Sequence, residues 1–352
     1  MIVTSSTHKR FLLAAVLFFA VLSLYAQTAP KPGIPLTDLA KELSARVFWD
    51  PLSGMAVMEK NGHLVNLRAG DGLVLLDYRE AVALDPPVIL DGALIVSTAF
   101  KDHIEKFFSS APAPVSYRVG AILIDPGHGG KDPGAVGTAI VKGKTVQVRE
   151  KDVVLTVAKD LHEQLSRKWP DKNIRLTRSD DRYISLEDRV EIANSIKLRD
   201  HEAILYVSIH ANAAFNKKSA GFEVWYLSPD YRRTVIDKSG GESAEILPIL
   251  NSMMEEEFTT ESILIAKSIS DSLEQRIGKQ SPNRGLKEEA WFVVRNARMP
   301  SVLVELGFVT NPGEAALLSD PEYLKRCAAG IYTGLASFIE HFEQSRGFTA
   351  TP

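Results

Sequence analysis

Two histidines and two glutamates stand where this chain could do chemistry. His128 lies in the Gly-rich turn of "AILIDPGHGGKDPGAVG" (121–137), His210 follows the apolar run "LYVSI", Glu305 sits in "VLVELG", and Glu150 opens "EKDVVLTVAKDLHEQLSRKW". Two imidazoles and one carboxylate make the three-protein-ligand set of a catalytic zinc, with water in the fourth position. The remaining carboxylate would then be free to act as base, beside a water whose pKa the metal lowers from about 15.7 to about 7. Gly127, Gly129 and Gly130 would remove bulk and permit unusual φ, bringing the backbone of His128 to the metal. Taken singly, each residue also has a structural reading. His128 could be a turn residue or part of a phosphate cradle, although the loop lacks the GxxxxGK[ST] pattern and Lys131 is misplaced for it. His210 could cap a strand, and Glu150 could be an acid favoured at a helix N-terminus. Glu305 has the weakest such reading, because a buried unpaired carboxylate is costly.

These residues need a scaffold, and the pattern from Val119 onward supplies one. Short apolar runs at 121–124 and 203–209 alternate with longer amphipathic segments, in which Val154, Ala158, Leu161 and Leu165 recur at helical spacing. That alternation predicts an α/β fold, a mainly parallel twisted sheet flanked by helices, with further strands at "NIRLTR", "FEVWYL" and "SVLVELGF" and a closing helix from about Pro321 to Phe342. In open α/β sheets the ligand sits beyond the carboxyl ends of the strands, which is where His128 and His210 fall.

Ahead of this part the pattern differs. "THKRFLLAAVLFFAVLSLYAQ" has a basic start and an apolar run, so residues 1–27 read as a secretory signal peptide, with an uncleaved N-terminal anchor as the alternative because Leu24 is large for the position three before a cut after Ala26. Residues 34–108 read as a small, β-rich accessory domain opened by the helix "LTDLAKELSARV", with hairpins at Asn61-Gly62 and Asp91-Gly92. The Pro/Ser/Ala-rich stretch 109–118 reads as a linker, and 119–345 as the domain that carries the chemistry. With a single cysteine, Cys327, an exported chain has no internal disulfide framework, so core packing must hold it. The 352 residues are 45% hydrophobic and 24% charged with a net charge of -3, and that balance provides no basic field for nucleic acid.

Read together and in order, "DPGHGGKDPGAVG", "EKDVVL", "LTRSDD", "SLEDRVEIAN", "VSIHAN" and "PSVLVELGFVTNPGE" closely resemble the zinc-dependent N-acetylmuramoyl-L-alanine amidases of the amidase-3 type, over about residues 119 to 342. The resemblance implies that His128, Glu150 and His210 bind one zinc ion and that Glu305 is the catalytic glutamate. It implies hydrolysis of the amide between N-acetylmuramic acid and L-alanine in peptidoglycan, in cell-wall remodelling and daughter-cell separation, by an exported protein of the periplasm or cell wall. On that reading Asp125 would either orient the His128 ring or serve simply as a turn former, and Asn212 and Arg284 would contact substrate near the mouth. Residues 228–260, longer than an ordinary connection, correspond in place to a helix that covers the site in some relatives until an activator protein moves it. Here Glu255, Glu256 or Glu257 would compete for the zinc, against the alternative of a solvated acidic helix end. The N-terminal unit resembles the small domain at the start of copper amine oxidases, without a recognisable copper site, and reads as a spacer or wall-attachment module. The rival from another class is a catalytically inert peptidoglycan-binding or scaffold protein on the same fold. Joint presence of both histidines, both glutamates and the Gly-rich turn favours the enzyme.

Overall fold

The computed structural model describes residues 33–51, 54–77, 80–110, 117–231, 233–235 and 247–344. The expected signal peptide, residues 111–116 of the linker and residues 232 and 236–246 of the 228–260 segment lie outside them. No helix among the described residues is long and apolar enough to cross a membrane.

The N-terminal part runs β1 (Ile34–Pro35), α1 (Leu36–Leu43), β2 (Arg46–Asp50), β3 (Met55–Lys60), β4 (His63–Arg68), β5 (Leu73–Leu76), β6 (Glu80–Ala83), β7 (Val88–Leu90), β8 (Ala93–Val96) and α2 (Thr98–Ser109). Strands β2 to β6 form one antiparallel meander, and β1, β8 and β7 a small second sheet. The two expected hairpins are present: Lys60 pairs with His63 and Leu90 with Ala93. Asn61, Gly62, Asp91 and Gly92 all have positive φ, which the tight turns require. Helix α1 is shorter than its apolar pattern, because Ser44 turns left-handed and "RVFWD" leaves as β2. Leu36, Leu39, Val65, Leu67, Phe100 and Ile104 close a core of their own.

The second part runs β9 (Arg118–Pro126), β10 (Val136–Val141), β11 (Lys144–Arg149), α3 (Glu150–Lys168), β12 (Asn173–Leu176), α4 (Leu186–Asn194), β13 (Glu202–Asn212), β14 (Phe222–Tyr226), α5 (Leu247–Ile277), β15 (Asn283–Glu288), α6 (Phe292–Asn296), β16 (Ser301–Phe308), α7 (Pro312–Leu318) and α8 (Pro321–Gln344). Its sheet has the order β12-β9-β13-β16-β14-β15. The first four of these strands are mutually parallel, while β14 runs against β16 and β15 runs with β14. Alternate residues of each central strand feed two cores, as a strand's period of two demands. Ile122, Ile124, Val207 and Val304 pack under α3, α5 and α8, whereas Ala121, Leu123 and Tyr206 pack under the shorter α4 and α6. The sheet is therefore buried on both faces, and its strands read as continuous apolar runs for that reason.

The reversal of β14 decides where the 228–260 excursion begins. Glu223 is opposite Glu305 but Tyr226 is opposite Val302, so β14 ends at the edge where β16 starts, away from the edge that carries His210 and Glu305. The expected short amphipathic helix is the beginning of α5, a continuous helix of 31 residues. Its early turns meet the N-terminal part: Met253 packs with Leu73 and Leu75, and Arg68 pairs with Glu256 at 2.8 Å.

Candidate metal centre

His128 owes its place to a turn pinned from below. After β9 ends at Pro126, His128 adopts φ 58, followed by Gly129 at 126 and Gly130 at 58. A left-handed histidine is unusual and persists where its surroundings hold it. Two buried arginines do so. Arg178 donates from Nε to the Pro126 carbonyl at 3.0 Å and from Nη2 to that of Gly127 at 2.6 Å. Arg189 donates from Nη1 to Pro126 O at 2.8 Å and from Nη2 to His128 O at 2.6 Å. Three successive carbonyls are thereby fixed before any ligand arrives.

Asp125 underlies this clamp rather than orienting the histidine, which corrects the expectation from sequence. Its carboxylate is buried and accepts from Thr177 Oγ1 at 2.6 Å, Tyr206 OH at 2.7 Å, Ser208 Oγ at 2.9 Å and Arg189 Nη1. As a residue of β9, it is committed to the sheet while the chain turns away toward His128. The partner of the His128 ring is Asp132, with Nδ1 and Oδ2 2.8 Å apart. The antiparallel bridge between Gly129 and Asp132 folds the turn back on itself and brings that carboxylate to the ring.

With Nδ1 engaged, His128 Nε2 faces Glu150 Oε1 at 3.2 Å, and His210 Nδ1 approaches the same oxygen at 2.9 Å. Glu150 opens α3 and is held by backbone donors: Ala135 N to Oε2 at 2.8 Å and Ala211 N to Oε1 at 3.0 Å. One potential ligand atom from each of His128, Glu150 and His210 lies within 4.8 Å of the others. The glycines around them are spatially necessary. A Cβ on Gly127 would come within 2.3 Å of the His210 ring, and one on Gly134 within 2.6 Å of the Glu150 carboxylate. Burial opposes charging His128, yet Glu150 and Asp132 outweigh it and raise its pKa. Burial likewise opposes ionising Glu150, and the two imidazoles overcome it, so its pKa is depressed. Such a set of nitrogen and oxygen donors, mutually facing and already held, fits a divalent ion of the zinc type.

Glu305 is beside this triad in β16, paired in register with His210 of β13. Its Oε2 is buried and has no hydrogen-bond partner among the described residues. Burial and the negative charges of Glu150 and Glu223 push its pKa well above the usual carboxylate range. A buried carboxyl group whose proton is held more tightly than usual is suited to take up a proton and pass it on, as general acid–base work requires. Asn212 and Arg284 do reach this edge, and both are tied to Glu223, at 2.6 Å and 2.7 Å respectively. The backbone beside Arg284 is fixed by Glu314, which accepts from Gly221 N at 2.8 Å and Phe308 N at 2.6 Å.

The proposed inhibitory acids are elsewhere. Glu255 is locked to Arg233 at 2.6 Å, Glu256 pairs with Arg68, and Glu257 lines a cavity together with Ile204 and Met299, at the start of the parallel strands. None of them joins the His128, Glu150 and His210 cluster. The expected cover is corrected accordingly for its described residues: the chain leaves β14 at the far edge, where α5 starts, and the later turns of α5 run along the sheet face, with Ser270 meeting Asn283 at the start of β15.

Comparison with known proteins adds an independent line. A family model described as N-acetylmuramoyl-L-alanine amidase matches residues 122–337, and one described as copper amine oxidase N-terminal domain matches residues 30–103. The chain is 30% identical over 263 residues to N-acetylmuramoyl-L-alanine amidase AmiA of Escherichia coli, covering 70% of this chain and 86% of that protein. It is 27% identical over 340 residues to amidase AmiC of Neisseria meningitidis, covering 91% and 75%. Among solved structures, amidase AmiC2 of Nostoc punctiforme aligns at 29% identity and a TM-score of 0.47, covering 62% of this chain and 97% of that one.

Proposed function

The chain belongs to the N-acetylmuramoyl-L-alanine amidase family and hydrolyses the amide that joins peptide to glycan in peptidoglycan; from that premise we propose that it is an exported, zinc-dependent amidase acting at one site built from His128, Glu150, His210 and Glu305. The observation that carries the reading is the convergence of three ligand-type side chains beside a buried carboxyl with an unpartnered oxygen. Zinc held by the three would polarise the scissile carbonyl and supply a nucleophile at neutral pH. Glu305 takes the proton of the attacking water. Its raised pKa lets it keep that proton until the amine departs, and then deliver it there. Asp132 fixes the His128 ring, so that Nε2 and not Nδ1 faces the centre. The arginine clamp holds the turn in that shape throughout.

In the same reading residues 1–27 direct export to the periplasm or cell wall, 119–345 form the catalytic domain, and 34–108 space it from the envelope or attach it there. Wall remodelling and daughter-cell separation are the processes such an activity serves. The test is mass spectrometry of purified peptidoglycan digested by the chain, with and without a chelator. Free peptides beginning at L-alanine, abolished by chelation and restored by zinc, are expected. Glycan or cross-link fragments would overturn the assignment, and chelator-resistant release would remove the metal from it.

A further inference from the structure

Three side chains lead away from Glu305 along the catalytic edge. Glu223 is buried directly across the β14–β16 pair from Glu305, and accepts from Asn212 Nδ2 at 2.6 Å and Arg284 Nε at 2.7 Å. Between β14 and β15 the register slips, Phe222 opposing Asn283 but Val224 opposing Leu286, so two residues, Arg284 and Gly285, stand against Glu223 alone. A bulge of this kind re-aims a side chain, and here it turns the Arg284 guanidinium back toward the site. That guanidinium lies over the Phe308 ring, 5.0 Å from its centroid. Its Nη1 has only a long 3.4 Å contact with Ala220 O, and among the described residues Nη2 has no hydrogen-bond partner. The side chain is 39% exposed. An arginine held by one nitrogen and one face, with its outer edge open to solvent, is a pre-set fork for a carboxylate.

Its distance from the reacting atoms selects which carboxylate. Arg284 is two strands from Glu305, about 10 Å at the usual strand spacing, and it reaches back across part of that gap. An extended peptide advances about 3.3–3.6 Å per residue, so two residues cover the remainder. We propose that Arg284, positioned by Glu223, recognises a carboxylate on the peptide side of the substrate, two residues beyond the cleaved amide, and so sets a preference for acidic over amidated stem peptides. The proposal rests on the amidase reading above.

The experiment uses the full chain with zinc and two matched muramoyl peptides, identical except that the second residue ends in a carboxylate or a carboxamide. Wild-type kcat/KM should favour the acid by about 10- to 100-fold, the range expected of a charge-assisted bidentate pair. In Arg284→Met that ratio should fall to about 1, chiefly through KM, while Arg284→Lys should keep only part of it. Glu223→Gln should give an intermediate ratio with its bound zinc retained, because the guanidinium loses its charged anchor; a merely structural role would not alter the ratio. Equal turnover of the two peptides by wild type, or a ratio preserved in Arg284→Met, overturns the proposal. If wild type cleaves neither peptide, the amidase reading fails instead, and calorimetric binding of the same pair decides: tighter binding of the acid, lost in Arg284→Met, supports the fork, and equal binding removes it.

Discussion

The two edges of the central sheet both gather acids, but they surround them with different partners. At the edge where the parallel strands end, Glu150 faces two imidazoles and Glu305 keeps a buried oxygen without a partner. At the edge where they begin, Glu255 is matched to Arg233 and Glu256 to Arg68, around apolar side chains such as Met254, Phe258 and Met299, while Glu261 is buried beside Glu257, whose charge together with burial pushes the Glu261 pKa well up. Burying a charge is costly unless it is paired, so the two matched pairs mark structural duty; burial alone does not mark function, as Glu261 shows, and Glu305 is set apart by the ligand-type side chains of His128, Glu150 and His210 beside it. The topology separates the two, since the reversed β14 delivers the 228–260 excursion to the structural edge.

The comparison is broken most decisively at the catalytic edge. Glu305→Gln should keep zinc, measured as metal per chain by plasma mass spectrometry, while peptide release drops about 10²–10⁴-fold. His128→Ala and His210→Ala should lose both. Wild-type turnover in Glu305→Gln would show that the open carboxyl is not the proton carrier.

Next in size is the acid beneath the clamp. Asp125→Asn leaves Arg189 buried without its counter-charge and should lower unfolding free energy by about 3–5 kcal/mol in urea titration. Burial resists ionisation of Asp125, but Arg189, Thr177 and Tyr206 overcome it, so its folded pKa lies below the unfolded value of about 3.9. A lowered folded pKa means that its stabilisation is full above about pH 4 and disappears as pH falls through the folded value. Wild-type urea midpoints should therefore decline over that acid range, and the decline should be shallower in Asp125→Asn.

A smaller effect should follow at the turn: Asp132→Asn should weaken zinc about 10- to 100-fold in chelator competition without unfolding the protein. The smallest belongs to the structural edge. Arg68→Met should leave peptide release unchanged and cost at most about 1–2 kcal/mol, because that arginine meets the early turns of α5 rather than the site. A rise in turnover would mean that this contact restrains activity after all, and the contrast between the edges would need redrawing.

What could be read from sequence follows the same division. His128, His210 and Glu305 announce themselves because each ends or interrupts an apolar strand with a group that strands do not ordinarily bury. Asp132, Glu223 and the arginines of the clamp carry no such mark, because their roles depend on a folded-back turn, a reversed strand, and the approach of the loop after β12 and of α4 to the turn carbonyls. Only pairing across the fold distinguishes Asp132 from the Asp125 three residues before His128. The β10–β11 hairpin and β15 were missed for a related reason: both are short and largely exposed, so no strong apolar pattern marks them. The extent of α5 escaped because its first turns pack on the N-terminal part, a contact between residues as far apart in sequence as Arg68 and Glu256.

The arginine clamp beneath His128 has a consequence for how the protein meets a changing supply of metal. Where an ion itself holds a loop together, its loss unfolds the chain and exposes it to proteolysis. Here the shape of the turn is guaranteed by Arg178 and Arg189, both already in place when the domain folds. On the zinc reading proposed above, the ion would therefore leave and return without the fold being lost, and a population starved of zinc would be stored intact and regain its activity at the pace of rebinding rather than of synthesis.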